Sequence, residues 1–231
     1  MADQLATTEP DLAGRPPSSA RRAFLARGGL GIAAVTLGTI VLLAVVDIYT
    51  RSEGLPTFLS VVLARLMSAY FWVTILAAPT FLVWIHRARV RQRWFLDRYR
   101  LPLTPPPDVS PWRAVGVWFV PVASLWLPYQ EVEDMFHLEP SEPADENPLL
   151  PMWWGCFIAG GAASAFFNRA AGLERAAEQP ISEGWLWLNV LRYALLFVAA
   201  VLAIRWISEF ERRTARRTTP QTETATTASS G

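Results

Sequence analysis

The chain has 231 residues, of which 52% are hydrophobic and 18% are charged. A soluble domain carries charges on about a quarter of its residues. Here the charges lie in blocks between long apolar runs, which is typical of an integral membrane protein. All 21 basic residues are Arg, and the single cysteine, Cys156, excludes intrachain disulfides, cysteine-rich zinc sites and iron–sulfur clusters held by one chain.

The two ends of the chain are rich in Pro, Gly, Ser and Thr and show no apolar periodicity. Neither end can bury enough surface to offset the conformational entropy that ordering would cost. We therefore predict disordered tails over residues 1–27 and 209–231. Between them, residues 28–208 are predicted to form a helical transmembrane domain.

Five apolar runs follow one another along this domain. A helix needs about 20 predominantly apolar residues to cross the hydrocarbon core of a bilayer. The third run is the weakest candidate, because it is short and is interrupted by Pro121 and Pro128, which break helices. In chain order the runs are Gly29–Tyr49, Phe58–Ile85, Trp112–Tyr129, Leu149–Phe167 and Trp185–Trp206.

Arginines are concentrated before the first run, between the second and third runs, and after the fifth. Basic residues are retained on the cytoplasmic side, so all three blocks share a side only if an even number of spans separates each pair. We therefore predict an all-α bundle of four transmembrane spans, with both tails cytoplasmic. Trp112–Tyr129 is then re-entrant or lies at the interface. The alternative is five spans, with the C-terminal tail outside.

The segment after the second run carries the densest group of arginines. They could form a membrane-surface helix that binds anionic lipids, each contributing about 1 kcal/mol. They could equally serve only to fix the topology. Proximity to the membrane accounts for these charges, so we expect no nucleic-acid partner. The arginines are Arg87, Arg89, Arg91, Arg93, Arg98 and Arg100.

Three charges lie inside or near the ends of the predicted spans. Arg192 is well inside the fifth run, and such charges are costly enough that they usually find a partner. In the four-span arrangement Asp47 and Arg65 fall in the same leaflet as Arg192. We predict that Asp47 pairs with Arg192, with Arg65 as the competing partner; the alternative is that Arg192 extends to the membrane surface.

Small residues recur every four positions in the fourth run, at Gly155, Ala159 and Ala163. Such faces let helices approach closely. The pattern predicts packing within the bundle or, as the sharper alternative, homo-oligomerisation.

The remaining polar residues indicate no catalytic chemistry. The acidic stretch from Glu131 to Glu146 lacks the spacing and turn glycine of a calcium loop, so we predict a solvated linker. His86 and His137 lie in different segments and begin no zinc-binding arrangement. We therefore expect no enzyme, no cofactor and no metal site.

Three stretches carry a family resemblance, and they run from Trp84 to Arg89, from Ser110 to Gln130 and from Leu150 to Trp154. In this order they resemble the mostly actinobacterial membrane family known as domain of unknown function 4328, over roughly residues 30–208. The chain departs from the family pattern at Arg91 and Ser124, where Asn is usual. The motif residues are Trp84, Arg87, Trp112, Trp118, Phe119, Pro121, Pro128, Tyr129, Gln130, Trp153 and Trp154.

The resemblance implies a bacterial plasma-membrane protein and supplies no activity. Our leading hypothesis is a non-enzymatic scaffold, sensor or assembly partner. The alternative is a small oligomeric transporter or channel component that works through polar groups around Arg192. A water-filled cavity that reaches Arg192 would favour transport, whereas a closed apolar bundle with a flat cytoplasmic arginine face would favour a scaffold.

Overall fold

The computed structural model describes residues 20–50, 56–99, 110–136, 148–178 and 182–218. Most residues in these ranges are helical, and the ranges contain no strand. Four helices are long: α1 (Ala20–Thr50), α2 (Pro56–Tyr99), α5 (Leu149–Ala176) and α6 (Glu183–Thr218). Two are short: α3 (Pro111–Gly116) and α4 (Leu127–Phe136).

Each of the four long helices is apolar enough over its length to cross a bilayer. A helix satisfies all its backbone hydrogen bonds within the segment, which is what hydrocarbon requires of a spanning chain. The four-span prediction is therefore confirmed.

The four spans run alternately up and down, so the molecule has two distinct ends. At one end Ala23 near the start of α1 packs in one cluster with Trp84 in the second half of α2 and Phe210 near the end of α6. We name this the arginine-rich end. At the opposite end the ring of Tyr49, near the end of α1, contacts Trp187, near the start of α6, with centroids 6.0 Å apart.

The spans pack side by side in the order α2, α1, α6, α5. Glycines allow the closest approaches along this row. A Cβ at Gly160 would lie 2.9 Å from Leu196 Cγ, so α5 can pack this tightly against α6 only with glycine there. A Cβ at Gly29 would lie 3.4 Å from Ala77 of α2. The row curves, and a cleft separates its two outer helices, α2 and α5.

The third apolar run does not span the membrane. It folds as the 6-residue α3, a 3₁₀ turn at Val117–Phe119, a second 3₁₀ turn at Ala123–Leu125, and the 10-residue α4. A span needs about 20 helical residues, so the five-span alternative is wrong. We call residues 110–136 the connecting segment. It packs across the arginine-rich end, and Trp154 Nε1 of α5 donates a hydrogen bond of 3.0 Å to the Leu125 carbonyl within it.

The chain reverses within the connecting segment at Val122, whose φ of 65° is in the left-handed region. The Ala123 amide donates to the Pro121 carbonyl at 2.7 Å, which closes a three-residue γ-turn around Val122. A β-branched residue rarely adopts this conformation. Contacts on both sides of the turn must therefore hold it in place.

The helices extend beyond the predicted domain boundaries. α1 begins at Ala20 and α6 ends at Thr218, so the predicted limits at residues 28 and 208 fall inside helices. The added turns are helical because they carry apolar positions that pack: Ala23, Ala26 and Phe210 are almost fully buried. The rest of the predicted tails, residues 1–19 and 219–231, lies outside the described residues.

Candidate functional site at the arginine-rich end

Aromatic rings fill the centre of the arginine-rich end. Trp84 of α2 and Trp206 of α6 are fully buried, with ring centroids 5.3 Å apart, and Phe210 lies 5.7 Å from Trp84. These perpendicular contacts place a positive ring edge against a negative ring face. From the connecting segment, Val132 and Met135 of α4 complete the cluster and are fully buried. The aromatic cluster therefore fixes α4 against two spans.

A buried ion pair joins α2 to the connecting segment beside this cluster. Arg89 is 1% exposed, and its Nη2 lies 2.5 Å from Glu131 Oε2 on α4. Arg113 Nε reaches the other oxygen of Glu131 at 3.0 Å, so two guanidinium groups share one buried carboxylate. Asp134 Oδ2 lies 3.7 Å from Arg89 and offsets part of the second positive charge. The network is thus charge-compensated, as buried ions require.

Gln92 completes this network. It accepts a 2.6 Å hydrogen bond from Arg89 Nη1 and donates one of 2.8 Å from its amide to the Asp134 carbonyl. The side chain is nearly fully buried. It therefore orients the guanidinium and ties it to the backbone of α4.

A second polar link joins α2 to α6. Arg91 Nη1 lies 3.3 Å from Glu211 Oε2, and the indole of Trp84 donates to Glu211 Oε1 at 3.0 Å. The successive arginines Arg89 and Arg91 therefore lead to different neighbours, one to the connecting segment and the other to the last span. Both are buried.

This finding corrects the prediction that the six arginines together form a lipid-facing surface, whereas their role in fixing the topology stays a prediction. Arg89 and Arg91 are not exposed to lipid phosphates, because each is buried against a carboxylate. Arg87 is half-buried and Arg93 is exposed, so these two keep the predicted surface position. The side chain of Arg98 and the whole of Arg100 lie outside the described residues.

The acidic stretch is likewise not a simple solvated linker where it is described. Glu131 is buried in the ion pair, and Glu133 accepts a 3.1 Å hydrogen bond from the Tyr129 hydroxyl. Burial and the neighbouring Glu133 carboxylate raise the pKa of the Tyr129 phenol above its ordinary value. The phenol therefore stays protonated and donates to Glu133. Residues 137–147, the remainder of the predicted linker, lie outside the described part of the chain.

Most of the family-motif residues converge on this end. Trp84 and Trp153 are buried, Trp118 is half-buried between them, and its ring centroid lies 6.0 Å from that of Trp154. Pro128 is buried and begins the α4 contact. The remaining motif residues are exposed or half-exposed on the surface of this end: Arg87, Trp112, Phe119, Pro121, Tyr129 and Gln130.

Below the aromatic cluster, the cleft between α2 and α5 forms an apolar cavity of about 360 Å³, which we call the lateral groove. Six alanines line it, contributed by three spans: Ala33, Ala77, Ala78, Ala199, Ala200 and Ala203. Its other walls are mostly aromatic, among them Phe81 of α2 and Phe157 of α5. Trp118 and Phe119 reach it from the connecting segment. The groove is therefore bounded by the same segment that carries Glu131.

At the opposite end, Asp47 and Arg192 line one cavity of about 190 Å³. The predicted ion pair between them is not among the contacts of Arg192, whose Nη1 donates to Asn168 at 3.2 Å and Nη2 to the Tyr193 hydroxyl at 2.7 Å. The guanidinium also lies over the rings of Phe167 and Tyr193. These side chains supply local acceptors and ring faces that sequence spacing alone does not reveal. Arg65 is exposed on α2 and does not line the cavity.

The predicted small-residue face divides into two parts. Gly155 and Ala159 are exposed, and a Cβ at Gly155 would meet nothing within 4 Å. Ala163 is buried within the bundle. Of these three residues, Gly155 and Ala159 are thus free to contact a second chain, and Ala163 is not.

Sequence reasoning missed the buried role of α4, although a signal was present. Pro128, Val132, Met135 and Phe136 recur at intervals of four, three and one, which is the apolar stripe of an amphipathic helix. The four positions are buried or half-buried in the structure. The stripe places Glu131 beside them, on the face that meets α2.

Fold and site together define an all-α membrane protein with four spans and a non-spanning segment folded over one end. The family model described as a domain of unknown function (DUF4328) matches residues 57–212, more than half of the chain, and the chain belongs to that family. The match begins at the start of α2 and ends near the end of α6, so it includes the connecting segment and the ion pairs. A search of curated proteins and a search of solved structures each returned no match.

Proposed function

We propose that this chain is a non-enzymatic sensor of the lipid bilayer, and that its lateral groove takes up one hydrocarbon chain of a membrane lipid. The observation that carries the proposal is the groove itself. It lies among four helices that are apolar enough to span a membrane, and its lining is almost entirely apolar. Its volume of about 360 Å³ falls within the range of about 300–1,000 Å³ that is common for small-molecule sites.

The choice of a lipid chain as occupant follows from the position of the groove. Water cannot satisfy hydrogen bonds against walls of Ala33, Ala200 and Phe157, so an apolar cavity of this kind does not fill with water. The surrounding solvent at this depth is hydrocarbon. A lipid chain gains dispersion contacts with the groove walls. Unlike a polar ligand, it gives up no hydrogen bonds when it enters.

The connecting segment would transmit occupancy of the groove to the arginine-rich end. Trp118 and Phe119 contact the groove, and Glu131 of the same segment forms the ion pair with Arg89 and also contacts Arg113. A lipid chain that enters or leaves the groove therefore contacts side chains that lie only a few residues along the connecting segment from the ion-pair network. The strained turn at Val122 lies between these two sets of contacts.

We further propose that the chain resides in a bacterial plasma membrane with both tails cytoplasmic. The support is the alternation of the four spans, which puts the start of α1 and the end of α6 at the same end as Arg87 and Arg93. We expect a single cysteine at either terminus, in a Cys156→Ser background, to resist impermeant maleimide on intact cells. A cysteine near Glu183 at the opposite end should react. Labelling of the C-terminal cysteine on intact cells would contradict this orientation.

Tryptophan quenching tests the groove. We expect bilayers of phosphatidylcholine with dibrominated chains to quench part of the tryptophan fluorescence through Trp118 and Trp153, which line the groove. Ala200→Phe fills the groove and should reduce that quenched fraction. Ala159→Phe, on the exposed face of α5, is the matched control and should leave it unchanged. Equal quenching of the wild type and Ala200→Phe would remove the support for an occupied groove.

A second candidate is a small oligomeric transporter or channel component. The cavity that reaches Arg192 favours it, and the exposed Gly155 and Ala159 offer a face for homo-oligomers. That cavity shares no lining residue with the lateral groove, however, so the two do not form one path between them. The sensor is therefore the function that the geometry supports best.

A further inference from the structure

The cavity at the opposite end is built from polar groups that the proposed sensor function does not use. Its volume is about 190 Å³, and it is lined by side chains from the four spans. Asp47, Arg175, Asn189 and Arg192 supply its polar groups, while Phe167 and Leu186 supply apolar walls. It is large enough for a compact polar group with several heavy atoms.

Arg192 enters this cavity without a carboxylate partner among the described residues. Two of its donors are used, on Asn168 and on the Tyr193 hydroxyl, and its Nε is buried without a hydrogen-bond acceptor. A guanidinium has five N–H donors, so three of those on Arg192 are not used in these hydrogen bonds. An uncompensated cation within a span is costly and indicates a functional site by default.

Asn189 gives a second, independent indication that this cavity binds a ligand. Its side chain lines the same cavity, the residue is 7% exposed, and its Oδ1 is buried with no hydrogen-bond donor among the described residues. A buried amide oxygen left without a donor costs about 1–3 kcal/mol. Among the described residues, Arg192 Nε therefore has no acceptor and Asn189 Oδ1 has no donor.

We infer that this cavity binds a phosphate that carries a neighbouring ammonium or hydroxyl group. Arg192, with Arg175 beside it, would hold the phosphate oxygens through charge-assisted hydrogen bonds. The ammonium or hydroxyl would donate to Asn189 Oδ1, and the Asp47 carboxylate on the same cavity wall favours a positive donor. One ligand thus supplies both groups that the cavity lacks.

The position of the cavity favours phosphate over other anions as the ligand. Arg192 lies nine residues along α6 from Glu183, which is about 14 Å at a rise of roughly 1.5 Å per residue. Arg175 near the end of α5 and Leu186 near the start of α6 line the same cavity, so it extends from Arg192 toward the headgroup layer, where lipid phosphates are concentrated. The same chemistry occurs in a phospholipid headgroup and in a soluble phosphoester, and the experiment separates these two sources.

The experiment uses the full chain, purified in phosphate-free detergent. One arm titrates phosphoethanolamine and measures binding by calorimetry. The other titrates phosphatidylethanolamine into the protein micelles and compares it with phosphatidylcholine, which has the phosphate but no ammonium hydrogen to donate. Binding in the first arm without a preference for phosphatidylethanolamine in the second identifies a soluble ligand. Binding in the second arm alone identifies the lipid headgroup. Absence of binding in both arms overturns the inference.

Three variants test whether the binding occurs in this cavity. We expect Arg192→Gln to weaken binding at least tenfold, and Arg65→Gln, which removes an exposed arginine nine residues along α2 from Pro56, to leave it unchanged. Asn189→Leu retains the arginine and should reduce the preference for phosphoethanolamine over inorganic phosphate, which keeps the inference testable if Arg192→Gln does not fold. Equal binding by Arg192→Gln and the wild type, or equal affinity of the wild type for inorganic phosphate and phosphoethanolamine, would contradict it.

Discussion

Replacing Glu131 with Gln is expected to destabilise the protein by about 3–5 kcal/mol, the range found when one partner of a buried ion pair is removed. The carboxylate is shared by Arg89 and Arg113, and Arg89 is 1% exposed, so its charge would stay buried with only the distant Asp134 to compensate it. The free energy of unfolding, measured by SDS titration in mixed micelles, would report the loss.

Glu133→Gln is the matched control, because Glu133 is on the same helix but only half-buried and contacts Tyr129 alone among the described side chains. Its loss should stay below about 1 kcal/mol, as for surface polar groups. The double variant Arg89→Leu/Glu131→Leu should recover part of the stability lost in Glu131→Gln, because no unpaired charge remains buried. Equal losses for Glu131→Gln and Glu133→Gln would show that the pair contributes nothing.

Truncating Trp206 to Ala should have an effect of similar size, about 3–5 kcal/mol, which is usual for a large aromatic side chain removed from a packed interior. Trp206 is fully buried, and its ring contacts those of Phe81, Trp84, Phe136 and Trp153. These rings belong to two other spans, α2 and α5, and to α4, so the void left by the truncation would loosen the whole arginine-rich end. The same SDS titration measures the change.

Trp112→Ala removes the same side chain from an exposed position and provides the comparison. Trp112 is 74% exposed, and among the described residues its ring contacts that of His86 alone, at 4.6 Å between centroids and tilted by 59°. We expect its removal to cost little. If both variants unfolded at the same SDS fraction, the aromatic cluster would not stabilise the bundle.

The spans and the non-spanning segment could be predicted from the sequence because the membrane imposes simple rules on length and polarity. Leu149–Phe167 is long and uncharged and spans, whereas Trp112–Tyr129 contains Pro121 and Pro128 and does not. Neither inference needs any knowledge of which helix packs against which. The topology could therefore be predicted without knowing how the helices are arranged in three dimensions.

The site could not be predicted in the same way, because it depends on the direction in which each side chain points. Arg87 and Arg89 are equivalent when arginines are counted, yet a rotation of about 200° separates them on a helix. Arg89 thereby meets Glu131 in the interior, while Arg87 stays at the surface. Similarly, the sequence placed Asp47 and Arg192 in one leaflet, but only the local geometry shows that Asn168 and Tyr193 take the guanidinium.

The order of the spans has a consequence for biosynthesis. Of the four spans α1 is made first, whereas α6, one of its two neighbours, is made after the other three, and the side chains of Leu37 and Ile40 are covered by Tyr193 only then. α5 likewise has its main partner in α6. A nascent chain that ends before Glu183 therefore holds its first two helices together while α5 lacks its neighbour. The four-span bundle is therefore completed only after α6 has been made, and until then one side of α1 lacks its native neighbour.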